Sequence, residues 1–159
     1  MDFESEHYFR ASLERMSQAH EIYRTRDNYA LTMYVAGVAV ECMLRAFMVI
    51  RKAEFKSHHD LPALFVESGM ISVADESLRA KGLSEEEIDQ HTNELRSSVN
   101  DVYNLWKNDF RYASESRLLA YLKRKRLFGK TKGNLLKAKT IELLSAAQRI
   151  INRGMVQWR

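Results

Sequence analysis

Within seven residues, Trp106 to Tyr112, the chain carries an indole, Asn108, Asp109, a guanidinium (Arg111) and a phenol (Tyr112). Such a set suits chemistry on a phosphodiester. Metal-free RNA cleavage needs a base near the ribose 2′-hydroxyl, an acid for the leaving oxygen, and a cation on the phosphate. Arg111 has the planar fork that matches phosphate oxygens. Tyr112 and Glu115 are the candidate acid and base, although neither ordinarily titrates near neutral pH, so the set predicts slow chemistry. A structural reading stands beside it. Asn108 and Asp109 bond backbone groups where a helix breaks. Arg111 is then expected to pair with Glu41 inside the fold, with a phosphate contact compatible with that pairing.

A second chemical signal follows directly. Lys123, Arg124, Lys125, Arg126, Lys130 and Lys132, then Lys137 and Lys139, run without an acid among them. Tyr121 and Phe128 are interleaved. This pattern binds RNA through phosphates, with bases free to stack on the rings. It also suits docking of an acidic protein, or a solvated helix exterior. Residues 117–159 hold 12 Lys or Arg against Glu142 alone, a charge of +11, while the preceding 116 residues carry −7. Such asymmetry predicts one basic face.

Other candidates carry less. His58, His59 and Asp60 are adjacent, and neighbours on a helix point about 100° apart, so they rarely share an ion. No further Cys or His follows at zinc-like spacing, and no metal or cofactor is expected. Arg15 precedes His20 by five positions, on a helix rich in charge. His7 and His91 read as isolated and exposed. Cys42, the single cysteine, reads as a small buried hydrophobe. There is no glycine-rich phosphate loop and no serine elbow.

The elements that must position these groups are helices. One proline and six glycines in 159 residues leave room for long helices, and no alternating strand pattern is evident. Helices are predicted over about Phe3–Arg24, Ala30–Ile50, a short one through Leu61, Leu64 and Phe65 to Gly69, then Ser84–Trp106, Arg117–Phe128 and Leu135–Arg153. Asp27 or Asn28 caps the second, Pro62 fits a first turn, and Ser84 with Glu87 forms a capping box. Residues 70–83 read as loop or weak helix. Ile141, Leu144, Gln148 and Ile151 are spaced as one face of the last helix, with Gly154 suited to its end. Ala30–Ile50 is long and apolar enough to cross a bilayer, but Glu41 and Arg45 lie near its middle, at the spacing of an ion pair, so a central core helix is expected. The fold class is therefore all-α, an up-and-down bundle of five to six helices in one domain over residues 1–159. The acidic N-terminus lacks a secretory pattern, which makes the cytoplasm the expected location.

Three segments in order, "AGVAVECMLRAFMVI", "HHDLPALF" and "LWKNDFRYASESRL", resemble the HEPN family. The resembling residues are Glu41, Leu44 and Arg45; His59, Asp60 and Leu61; and Trp106, Asn108, Asp109, Arg111 and Tyr112. The resemblance implies a helical bundle that forms a homodimer, with the Arg111 edge at the cleft between copies. It also implies a metal-independent endoribonuclease or toxin of a bacterial toxin–antitoxin or defence system, or an inactive module paired with a nucleotidyltransferase-like protein. Active members carry a histidine four to six positions after the arginine. Here Tyr112 to Arg117 follow, with no histidine, so ribonuclease activity is expected to be weak or absent. Binding of RNA or nucleotide, a non-catalytic partner role and a purely structural helical dimer all remain open.

Overall fold

The computed structural model describes residues 3–26, 28–53, 59–125 and 133–158. Seven α-helices and one 3-10 turn account for them: α1 (Ser5–Arg26), α2 (Tyr29–Ile50), α3 (Leu61–Ser68), α4 (Met70–Ala80), α5 (Glu85–Leu105), the turn η1 (Asn108–Tyr112), α6 (Glu115–Arg124) and α7 (Leu135–Gln157). No strand occurs among the described residues. The architecture is the all-α bundle the sequence predicts, with more helices than the five or six expected.

α2 is the axis. Its sequence is rich in alanine and methionine, and Ala36, Ala39, Ala46, Met33, Met43 and Met48 are all fully buried. Small side chains let neighbours approach closely, and the flexible methionines fill what remains. α1 folds back along α2, and α7, α3 and η1 cover its other sides. The helix has the length and apolarity of a membrane span, and most of its surface is covered by the bundle.

The helix ends follow the sequence signals. Asn28 accepts from the Leu31 amide at 3.0 Å, and Asp60 accepts from Ala63. Ser84 and Glu87 complete the capping box that starts α5. Each such cap stabilises its helix by about 1 kcal/mol. Residues 70–80, expected to be loop or weak helix, form the full helix α4. Met70, Ala74 and Leu78 recur every four residues and are buried as one stripe, and Gly69, in the left-handed region at φ 62°, both ends α3 and opens α4.

α7 differs in two details. Ile141 is largely exposed, while Leu143, Leu144, Ala147, Ile150 and Ile151 face the core. Gly154 is not a helix end. It lies inside α7, where a β-carbon would run into the Met43 side chain, so the residue is there for close approach. α6 begins two residues earlier than expected because Ser114 caps it, accepting from the Arg117 amide. Phe128, at its predicted end, lies outside the described residues.

Candidate nucleic-acid interface

The break after α5 is built by two aromatic pegs. Trp106 leaves the helix in an extended conformation and is 2% exposed. Its indole lies on Gly37, where a β-carbon would collide with the ring, and its Nε1–H donates to the Tyr34 carbonyl at 3.1 Å. Four residues on, Phe110 is buried too. Between and beyond the pegs the chain makes the tight turn η1, with extended residues Lys107 and Ala113 on either side. Pegging the chain just ahead of a short turn and again at its middle fixes the direction of the residues it exposes.

η1 and the outer face of α6 enclose a pocket of about 410 Å³. Phe110 and Leu118 form its apolar base, and Tyr121 stands edge-on to Phe110 at 5.5 Å between ring centroids. Three cations, Lys107, Arg117 and Arg124, line it, with Asp109 as the one carboxylate. Arg117, Tyr121 and Arg124 sit at helical spacing on one α6 face. Lys107 Nζ also lies 4.1 Å above the Tyr103 ring. Burial, with the charge of Lys125 added, holds the Lys107 ammonium below the usual lysine range, and Asp60 partly offsets this. Burial also pushes the Tyr121 phenol up. None of Lys107, Arg117 and Arg124 makes an ion pair among the described residues. Cations without ion-pair partners around an aromatic base have the chemistry to hold an anion that carries a ring.

The expected site residues separate. Arg111 does not reach Glu41. It is exposed and lies over the Tyr112 ring at 4.6 Å, while Tyr112 is 77% exposed. The 3-10 turn, tighter than an α-helix, aims Arg111 outward and spends its one buried position on Phe110. Glu41, 8% exposed, is taken by two other groups: Arg45 Nε at 2.9 Å and His59 Nδ1 at 2.8 Å. Glu115 is half-buried and accepts from the Ala30 amide at 2.7 Å, capping α2 from across the fold. Asn108 is half-buried and Asp109 exposed in the pocket wall. Of the basic run, Arg124 lines the pocket, Lys123 and Lys125 are exposed beside it, and Arg126, Lys130 and Lys132 lie outside the described residues. Lys139 is paired with Glu142 at 2.6 Å. Arg15 bonds Gln18 and His20 bonds Gln148, so those two do not converge. His91 is not isolated: it accepts from Arg153 at 3.0 Å. No group of three His, Cys, Asp or Glu side chains that could hold a metal ion occurs among the described residues.

Sequence reasoning missed Lys107 and Arg117 as pocket residues and His59 as the partner of Glu41. The four-then-three spacing of Arg117, Tyr121 and Arg124 was the available signal for one of them.

The helical order, the Glu41–His59 contact between α2 and the start of α3, and the Trp106–Tyr112 break agree with the three resembling segments. The HEPN domain model matches residues 5–153. The protein belongs to the HEPN family. Comparisons with curated proteins and with solved structures gave no match. The match spans α1 into the last turns of α7, so this HEPN domain includes η1, α6 and the pocket they form. After Arg111 it carries Tyr112 to Arg117, with no histidine in that run.

Proposed function

We propose that this HEPN domain binds RNA or a nucleotide through the η1–α6 pocket, as a component of a bacterial toxin–antitoxin or defence system in the cytoplasm. The observation that carries the reading is the trio Lys107, Arg117 and Arg124, without ion-pair partners, around the Phe110–Tyr121 base. Phosphate oxygens would neutralise the cations, and a base would stack against the ring edge. Lys123 and Lys125 extend the positive surface along the strand. The active assembly in this reading is a homodimer, and metal-independent ribonuclease activity is weak or absent.

The test is fluorescence anisotropy of a labelled single-stranded RNA against salt concentration. Binding that weakens steeply with salt, and weakens further in Lys107→Ala with Arg124→Ala, supports the reading. Retention of no RNA at low salt overturns it.

A second reading is a non-catalytic partner module of a nucleotidyltransferase-like protein. Tyr112 favours it: a phenol exposed this fully next to a cation is available to a partner chain. Co-purification of such a chain, lost on Tyr112→Ala, would move the reading there.

A further inference from the structure

A second recess, of about 260 Å³, lies between α5 and α7 and shares no residue with the η1–α6 pocket. His91, Glu94, Leu95 and Ser98 line it from α5, and Arg149, Asn152, Arg153 and Val156 from α7. Each set has the three-and-four spacing of one helix face, so the recess is where two such faces meet. Its two guanidiniums are held in an unusual way. Arg153 Nη2 lies 3.0 Å from His91 Nδ1. A guanidinium only donates, so Nδ1 accepts and the ring hydrogen sits on Nε2. Arg149 Nε donates to Ser98 Oγ at 2.9 Å. That hydroxyl, on a residue 1% exposed, donates in turn to the Glu94 carbonyl at 2.9 Å. Both acceptors are neutral. They fix the planes of the two forks and leave the charge in place.

The remaining groups fit the same chemistry. Asp101 lies 3.8 Å from Arg149 Nη2, beyond hydrogen-bond reach, and Arg153 makes no ion pair among the described residues. Asn152 Oδ1 accepts from Gln148 at 2.7 Å, which leaves the Asn152 amide hydrogens for a ligand. Glu94 is the one acid in the lining; its side chain is 58% exposed, where water screens it, and it accepts from Gln90 on its own helix. Two oriented forks and a neutral donor select a compact anion with several oxygens. A phosphomonoester offers three free oxygens and close to two negative charges. A phosphodiester in a nucleic-acid strand offers one oxygen fewer and a single charge. Leu95 and Val156 supply an apolar wall beside the cations.

We propose that the α5–α7 recess is a binding site for a small phosphomonoester, separate from the pocket assigned to RNA. Arg149 and Arg153 hold the phosphate oxygens, Asn152 adds a hydrogen bond, and the ester carbons lie against Leu95 and Val156. His91 and Ser98 are positioning residues, each setting the direction of one guanidinium from the facing helix.

The experiment titrates the full chain with ethyl phosphate and with diethyl phosphate by calorimetry, and measures RNA affinity in parallel. Ethyl phosphate is expected to bind saturably, at least about tenfold more tightly than the diester. Arg153→Gln is expected to weaken it about tenfold, the worth of one hydrogen bond to a charged group. Arg149→Lys, at an exposed position, keeps the charge and loses the fork, and is expected to weaken it too; this variant carries the test should Arg153→Gln fail to fold. Glu94→Gln is expected to tighten binding. Lys107→Ala with Arg124→Ala is expected to leave ethyl phosphate binding unchanged, and Arg149→Lys to leave RNA affinity unchanged, so the two sites fail separately. Ethyl phosphate that gives no saturable heat up to roughly 10 mM, well past millimolar affinity, overturns the proposal. So does binding that both arginine variants retain in full, or that the Lys107 and Arg124 changes abolish. Equal affinity for the diester, or RNA affinity lost in Arg149→Lys, overturns it as well and assigns the recess to a strand phosphate.

Discussion

The indole of Trp106 rests on the bare backbone of Gly37, with its N–H bonded to the Tyr34 carbonyl one turn back along the same helix. This contact ties the end of α5 to the middle of α2. It also sets the starting point of η1, and so of the pocket.

Gly37→Ala should therefore be costly. The added methyl meets a rigid ring already 2% exposed rather than the loose end of a flexible side chain. Overpacking of this kind costs about 1–3 kcal/mol. Urea denaturation should show a lower midpoint with an unchanged slope. RNA affinity should fall with it, because the turn carrying Lys107 must shift.

Glu115→Ala separates capping from chemistry. The carboxylate accepts from the amide of Ala30, a buried residue in the first turn of α2. Leaving that donor unmade costs about 1–3 kcal/mol. Thermal unfolding should register the loss, while affinity for RNA at a temperature where the variant is folded should stay as in the wild type.

Cys42 should be inert in the native state. Burial, aided by the charge of Glu41, pushes its thiol up to about 11 from 9.0. The thiolate is the reactive form, so a disulfide reagent at pH 8 should label the unfolded protein quickly and the native protein slowly. Because the folded value is the higher one, the contribution to stability is complete below pH 9. It should be lost as pH rises from there to about 11, when the unfolded thiol ionises first. Chemical denaturation across that range should show the decline removed in Cys42→Ala.

Arg117→Ala combined with Arg124→Ala tests the pocket electrostatically. Each phosphate contact removed should flatten the salt dependence of RNA binding by about 0.7 in the log–log slope. Arg111→Ala, outside the pocket, should leave that slope closer to wild type.

The helical skeleton was legible because its signals are local. Ser84 with Glu87, Asn28, Asp60 and Pro62, and the long apolar run of α2 each announce an element within a few residues. α4 was harder, since Met70, Ala74 and Leu78 give only three buried positions among charged ones. Partnerships across the fold were not legible. The sequence offers Glu41 two partners, Arg45 and Arg111, and which groups reach it depends on how α2, α3 and η1 meet. The tight 3-10 winding turned Arg111 outward, and His59, just ahead of α3, took the place beside Glu41. Glu115 looked like a reactive carboxylate because nothing in the sequence says that Ala30 lies beside it.

Since Trp106 and Phe110 hold η1 from the inside while the cations project from its outer side and from the outer face of α6, shape and charge at this edge are set by different residues. Lineages could retune which anion is held, or abolish holding altogether, by exchanging surface side chains and leaving the interior untouched. A drift from active to silent members would then leave almost no trace in how well the chain folds.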